Sequence, residues 1–283
     1  MPQKLNADTV EKAIEDFQEG MPIYMAAKKN GIGATTLTRY LKARGFDTKA
    51  HVFRKIKFNL DYFQEIKTEE QAYWLGFIAA DGSIVCEGTI LEISLQSRDY
   101  EHLVKFAKAI GYPEEHIKVF TDNKGYTKCR ISVCSKKMCS DLAQYGIVPR
   151  KGFNLGFIEN LDDSLIKHYL RGYFDGDGSI STNGKNRNGT AKYAIHVIAT
   201  KKFLKKMMEL LKHELAITEI ALQKRAQGLM YSWNKVGIKQ IMTVLNYMYR
   251  DSKVYLERKY ARFMFIAVQG QVPVEDLEQL GWN

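Results

Sequence analysis

Two stretches of this chain repeat one another in register. They are Tyr73-Trp-Leu-Gly-Phe-Ile-Ala-Ala-Asp-Gly-Ser-Ile84 and Tyr169-Leu-Arg-Gly-Tyr-Phe-Asp-Gly-Asp-Gly-Ser-Ile180, with Asp177 lying 96 positions after Asp81. Tyr, Gly, Asp, Gly, Ser and Ile recur at matching places. Only two copies exist, each followed by about a hundred residues of its own, whereas a solenoid needs three or more shorter units. The repeat therefore implies a duplicated half-domain with an internal pseudo-two-fold axis.

Each copy is apolar for about two turns, long enough for a short buried helix and too short to span a membrane. Gly76 and Ala80 stand four apart, as do Gly172 and Gly176, so each helix carries a face almost without side chains. Glycine inside a helix costs about 1 kcal/mol relative to alanine, and close approach of two helix backbones is the reason that offsets it. Packed face to face, the copies bring Asp81 and Asp177 side by side at one end. Gly82 and Gly178 follow, where a left-handed residue is expected to end each helix. Two carboxylates at two converging helix C-termini are unfavourable unless a cation intervenes. Oxygen-only ligands with room for water suit Mg²⁺, for which Mn²⁺ can substitute. An Asp-Gly pair is also an ordinary turn, a reading that the in-register duplication weakens. A calcium loop starting at Asp175 is rejected, because its sixth position is Ile180 and its twelfth Asn186.

These stretches resemble the paired signature helices of LAGLIDADG homing endonucleases in their single-chain form. The family's final motif Asp falls on Asp81 and Asp177, and its small helix-contact residues on Gly76, Ala80, Gly172 and Gly176. The chain departs from the motif at Trp74, Leu75, Ala79 and Arg171. The resemblance covers roughly residues 58 to 262. It implies a monomeric enzyme that makes double-strand breaks at a long, asymmetric DNA target, with divalent metal held by Asp81 and Asp177. It also implies an active-site lysine in each half, on Lys151 and Lys259, where an Arg-Lys pair recurs (Arg150-Lys151 and Arg258-Lys259). An ammonium there can polarise a water or steady charge on a phosphate, although plain phosphate anchoring is the alternative.

The rest of the chain agrees with a polyanionic partner. The net charge is +10 and the pI near 9.2, which favours nucleic acid or an anionic membrane. No run of eighteen apolar residues and no signal-peptide core is present, which points to no membrane and a cytoplasmic protein of a bacterial or phage-infected cell, or of an organelle. Cys86, Cys129, Cys134 and Cys139 contain no C-x-x-C pair and read as reduced, packed thiols.

Residues 1–46 read as a small all-α helix-turn-helix unit. Val10, Ile14 and Phe17 recur at helical spacing, Pro22 suits the first turn of a second helix, and Gly31 a sharp turn before a third. The third helix would present Thr35, Thr36, Thr38, Arg39 and Lys42 to a major groove, of which Thr36, Arg39 and Lys42 are the candidate contacts. A three-helix protein-contact unit is the alternative. Residues 47–61 are a basic linker in which Arg54 and Lys55 could follow phosphates, and residues 266–283 form an acidic tail.

Between these lie two half-domains, 62–157 and 158–265. Alternating segments at Thr89–Gln96, Cys129–Cys134, Tyr193–Ala199 and Leu229–Val236, with helices near 100–110, 137–145, 201–215 and 238–265, predict an α+β fold. Each half would run αββαββα, an antiparallel sheet with helices on one face. The free faces would carry Gln96, Arg98, Lys128, Arg130, Lys185, Arg187, Lys192, Lys224 and Lys235, individually more often solvated charges than base contacts. Of these, Lys128, Arg130, Lys185, Arg187, Lys192 and Lys224 are the candidates for binding DNA. The alternatives to the endonuclease are a cleavage-inactive DNA-binding regulator and an intron maturase. Both motif carboxylates being present weighs against the first, and a duplex-reading helix-turn-helix against the second.

Overall fold

The structure, a computed structural model, describes residues 7–19, 21–46, 48, 56–225 and 229–270. Arg54 and Lys55, most of the linker around them and the tail beyond Gly270 lie outside the described residues. The chain divides into two compact units, Met1–Lys57 and Phe58–Asn283.

In the first unit, α1 (Ala7–Gln18), α2 (Ile23–Lys29) and α3 (Ala34–Ala43) pack around Val10, Ala13, Ile14, Phe17, Ala26, Ala27, Leu37 and Leu41. Alanines at the centre of α2 let its neighbours approach it closely. Asp16 ties α1 to the end of α2, accepting from Lys29 Nζ and Asn30 Nδ2, each at 2.6 Å. Gly31 takes the left-handed backbone (φ +65°) that turns the chain from α2 towards α3.

In the second unit, α4 (Glu69–Asp81) opens on a reciprocal cap in which the Thr68 hydroxyl accepts from Gln71 N and the Gln71 side chain reaches back. Its residues from Ala72 to Ala79 are all buried, as expected of a helix apolar on every side. It runs directly into β1 (Gly82–Val85), followed by β2 (Ile90–Gln96), α5 (Tyr100–Ile110), β3 (Lys118–Thr121), β4 (Thr127–Cys134) and α6 (Lys136–Gln144). The second half repeats the order: α7 (Asp163–Asp177), β5 (Gly178–Lys185), β6 (Ala191–Thr200), α8 (Lys201–Leu215), β7 (Gln223–Lys224), β8 (Met230–Val236) and α9 (Ile238–Tyr249). A further helix, α10 (Glu257–Gln269), closes it. The two sheets are antiparallel and ordered alike, β1-β2-β4-β3 and β5-β6-β8-β7. Helices α5 and α6 pack on the first sheet and α8 and α9 on the second. The α+β architecture with two four-stranded sheets therefore matches the expectation.

Two local expectations are corrected. The motif helices begin earlier than their apolar stretches, and their last residues, Gly-Ser-Ile, are already strand. Nor are Gly82 and Gly178 left-handed, since both are extended (φ −73° and −90°). Glycine is needed there for space. A Cβ on Gly82 would lie 2.6 Å from Ile78 Cγ2, and one on Gly178 2.3 Å from the Phe174 ring. The thiols are corrected too: Cys129 and Cys139 are buried, but Cys86 and Cys134 are exposed.

Candidate active site

The site is built by the seam between α4 and α7. A Cβ on Gly76 would sit 2.0 Å from the Tyr169 carbonyl oxygen, and one on Gly172 would sit 1.9 Å from that of Tyr73. These two contacts exchange into one another under the pseudo-two-fold, and no side chain fits in either. Further along, a Cβ on Gly176 would meet Ala80 Cβ at 2.3 Å and Asp81 Oδ2 at 3.3 Å. The Asp81 carboxyl thus lies against the residue preceding Asp177, at the end where both helices stop.

The charges at this end perturb each other. Asp81 is pushed up to about 6, first by desolvation and then by the Asp177 charge, against the pull of Lys259, Lys151 and Arg258. Asp81 nevertheless remains in contact with solvent, which screens part of that shift. Asp177 is also raised by desolvation, while Lys151, Lys259 and a hydrogen bond from Tyr173 hold it down. Both expected lysines reach the helix ends, each in its own half. Lys151 Nζ donates to Ala80 O at 2.8 Å. Lys259, only 3% exposed, directs its ammonium at Phe174 O (2.6 Å), Asp175 O (2.7 Å), Gly176 O (3.4 Å) and Gly178 O (2.5 Å). Burial lowers it to about 8, with Asp175 the largest counterweight. Each cation therefore neutralises a C-terminal helix end that its own motif carboxylate would make more negative.

The lysines differ in what they have left to offer. An ammonium carries three protons, and those of Lys259 face four carbonyl oxygens. Lys151 is shown donating to one.

Sequence reasoning passed over a second set of groups on α7. Asp175 is fully buried and accepts from Tyr73 Oη (2.8 Å), Tyr249 Oη (2.5 Å) and the Leu256 amide (2.7 Å). One turn earlier Arg171, also fully buried, donates to Glu69 Oε1 (2.8 Å), Val254 O (2.9 Å) and Met248 O (2.8 Å). Both hold α7 to α4 and to the segment leading into α10, the helix that carries Lys259. The signal was available: Arg and Asp four apart on one helix face, inside an otherwise apolar stretch.

Two carboxylates with raised pKa values form a hard-oxygen pair that a divalent cation would relieve. Among the described residues no three His, Cys, Asp or Glu side chains gather as a metal cage. A cation held by Asp81 and Asp177 would therefore complete its shell with water or a ligand's own oxygens, a partly hydrated environment that fits Mg²⁺.

The sheet faces away from the helices are where DNA contacts were expected. On the first sheet Lys118 pairs with Arg130, Phe120 with Lys128, and Gln96 with Lys128, so these side chains share the open face. Arg130 lies over the Phe120 ring (4.6 Å) and 3.7 Å from Glu92, and Lys128 pairs with Asp122 at 2.8 Å. On the second sheet Lys192 has the parity of the open face, with Ala194, His196 and Asn234. Lys185 ends β5, and Arg187 follows in the turn before β6; both are exposed.

Two residues expected on the free faces, of which Lys224 alone was a candidate contact, lie elsewhere. Lys235 is buried on the helix side, donating to Thr218 O at 2.8 Å. Lys224 is exposed but pairs with Tyr231, which shares the helix-side parity of Trp233. In the first unit Arg39 and Lys42 are exposed on α3, and Thr36 is half-buried.

A family model described as LAGLIDADG endonuclease matches residues 170–266, which span α7 to α10. No curated protein matches the chain. Among solved structures, the chain is similar to I-SmaMI bound to an uncleaved DNA target with calcium ions (14% identity, TM-score 0.49, 72% of this chain and 91% of that one). It is similar also to I-AabMI bound to uncleaved DNA (12%, 0.47, 73% and 95%). A third is I-GzeII in complex with its DNA target (14%, 0.47, 69% and 88%).

Proposed function

We propose that the chain is a monomeric LAGLIDADG-type homing endonuclease that hydrolyses both strands of a long, asymmetric double-stranded DNA site. The observation that carries the reading is the meeting of Asp81 and Asp177 at the end of a seam that has no room for side chains, each with a lysine on its helix end. The family match over the second half supports it.

In this reading Asp81 and Asp177 hold Mg²⁺, or Mn²⁺ in its place, which when bound supplies Lewis-acid stabilisation of the charge developing on the phosphate. The chain's own contribution is placement. The glycine seam fixes the spacing of the two carboxylates. Lys259 clamps the end of α7 from within and acts by positioning. Lys151 keeps protons that can reach a phosphate oxygen or a water. The open sheet faces, with Lys128, Arg130 and Lys192, lie along the duplex, and Lys185 and Arg187 reach beyond it. Arg39 and Lys42 of α3 lengthen the footprint.

The test is incubation with a randomised-site plasmid library and Mg²⁺, followed by sequencing of the cut ends. One recurring cut site, absent with Asp81→Asn, is expected. Binding of the library without any cutting, unchanged by that substitution, supports the regulator instead.

A further inference from the structure

The two motif carboxylates stand in unequal surroundings. In the second half Tyr173 lies one turn before Asp177 on α7. Helical side chains lean towards the N-terminus, so the Asp177 carboxyl covers the turn that Tyr173 occupies. Tyr173 is buried, and its ring stacks on Phe203 with centroids 4.1 Å apart and planes 28° from parallel. Its hydroxyl donates to Ile198 O on β6 at 3.1 Å and also reaches the Asp177 carboxyl. A phenol carries one proton. Here that proton faces two acceptors, of which an ionised carboxylate is the stronger. The backbone around Asp177 is held as well, by Lys259 on the carbonyls of Phe174, Asp175 and Gly178 and by the donors that converge on Asp175.

The first half is built differently at the matching places. Phe77 occupies the position of Tyr173 in the repeat, and Ala79 that of Asp175. Phe77 packs among His102, Trp74 and Tyr73, with ring centroids 4.7, 5.8 and 6.2 Å away, and has no hydroxyl to offer Asp81. A hydroxyl therefore stands beside one carboxylate of the pair and is missing from the equivalent place beside the other. A carboxylate whose rotamer is already fixed by a hydrogen bond loses less freedom when it takes up a cation.

We propose that Tyr173 is a positioning residue for Asp177, its hydroxyl fixing the carboxyl in the rotamer that takes a divalent cation. The inference rests on the reading of Asp81 and Asp177 as a cation-binding pair. It adds that Asp177 is the preformed side of that pair, while Asp81 adjusts around the ion.

The test titrates Mn²⁺ into the full chain without DNA and follows the free ion by electron paramagnetic resonance. Asp177→Asn identifies the ion held at the pair, as the binding that this substitution removes. Tyr173→Phe keeps the ring and its packing, and is expected to weaken that binding about ten-fold. Tyr169→Phe removes an equally buried hydroxyl one turn earlier on α7 and is expected to bind Mn²⁺ as wild type does. It separates positioning of Asp177 from the general cost of losing a buried hydroxyl. On a cleavable duplex, Tyr173→Phe should raise the Mg²⁺ concentration that gives the half-maximal single-turnover rate, with the rate at saturating Mg²⁺ little changed. Unchanged Mn²⁺ affinity in Tyr173→Phe, or an equal loss in Tyr169→Phe, overturns the proposal even while wild-type protein cuts DNA. Wild-type protein with no Mn²⁺ site that Asp177→Asn removes overturns both the proposal and the cation pair beneath it. Conversely, a loss confined to Tyr173→Phe in a protein that never cuts DNA keeps the positioning role and rejects the endonuclease.

Discussion

The ammonium of Lys151 donates to the carbonyl oxygen of Ala80, the residue immediately before Asp81. Lys259 does the same for the end of α7, but with all its protons and from a buried position. The two lysines should therefore respond differently to replacement. Lys259→Met leaves several buried carbonyls unpaired and should cost about 2–4 kcal/mol in denaturant unfolding. Lys151→Met should cost under about 1 kcal/mol and act mainly on the single-turnover cleavage rate. Equal stability losses would show that the two are equivalent after all.

The seam makes a sharper demand. Gly172→Ala or Gly76→Ala would drive a methyl group into a backbone carbonyl of the opposite helix, with nothing flexible to yield. Each should destabilise by about 3 kcal/mol or more, at the upper end of overpacking costs. Gly152→Ala, whose added Cβ would meet nothing within 4 Å, is the matched control and should melt with wild type.

Asp81 links function to pH. Its carboxyl is raised from 3.8 to about 6 in the folded protein, so the folded state holds the proton more tightly than the unfolded one. The stability it contributes is complete below about pH 4 and is lost as pH rises through about 6. Ionised Asp81 therefore burdens the metal-free protein at pH 7. Asp81→Asn should raise its melting temperature by roughly 2–4 °C, while abolishing any further rise on adding Mg²⁺. Because cation binding needs the carboxylate, Mg²⁺ affinity in the wild type should fall as the pH drops through about 6, read by titration calorimetry.

The N-terminal unit has its own core. A chain beginning near Phe58 should fold and keep its chemistry, while binding its target more weakly and protecting fewer base pairs from nuclease. Arg39→Ala and Lys42→Ala should reproduce part of that loss. Loss of all cleavage by the shortened chain would show that the units are not separable.

The seam was legible because a missing side chain at i and i+4 in an apolar helix has few other uses, and because the pattern occurs twice. The positions of the two carboxylates followed from it. The end of each helix was not legible: Asp-Gly suggests a left-handed cap, whereas the glycines answer to Ile78 and Phe174 one turn back. Charge alone also misplaced Lys224 and Lys235. Alternation along β8 turns Trp233 inward, and with it Tyr231 and Lys235, so the lysine's side of the sheet could have been read from its neighbour. The clamp around Lys259 could not, since carbonyl groups leave no mark in a sequence.

The pairing of Arg171 with Glu69 bears on how this molecule descended from two equal parts. In the repeat, Glu69 corresponds to Leu165 and Arg171 to Leu75. Two copies of the later half would each press an arginine on leucine, and two copies of the earlier half would strand a pair of glutamates. Only the mixed union satisfies both, a preference that buried ion pairs enforce strongly when one member is missing. Severed between the halves and mixed again, the fragments should seek each other rather than their own kind: twins by origin, they are now lock and key.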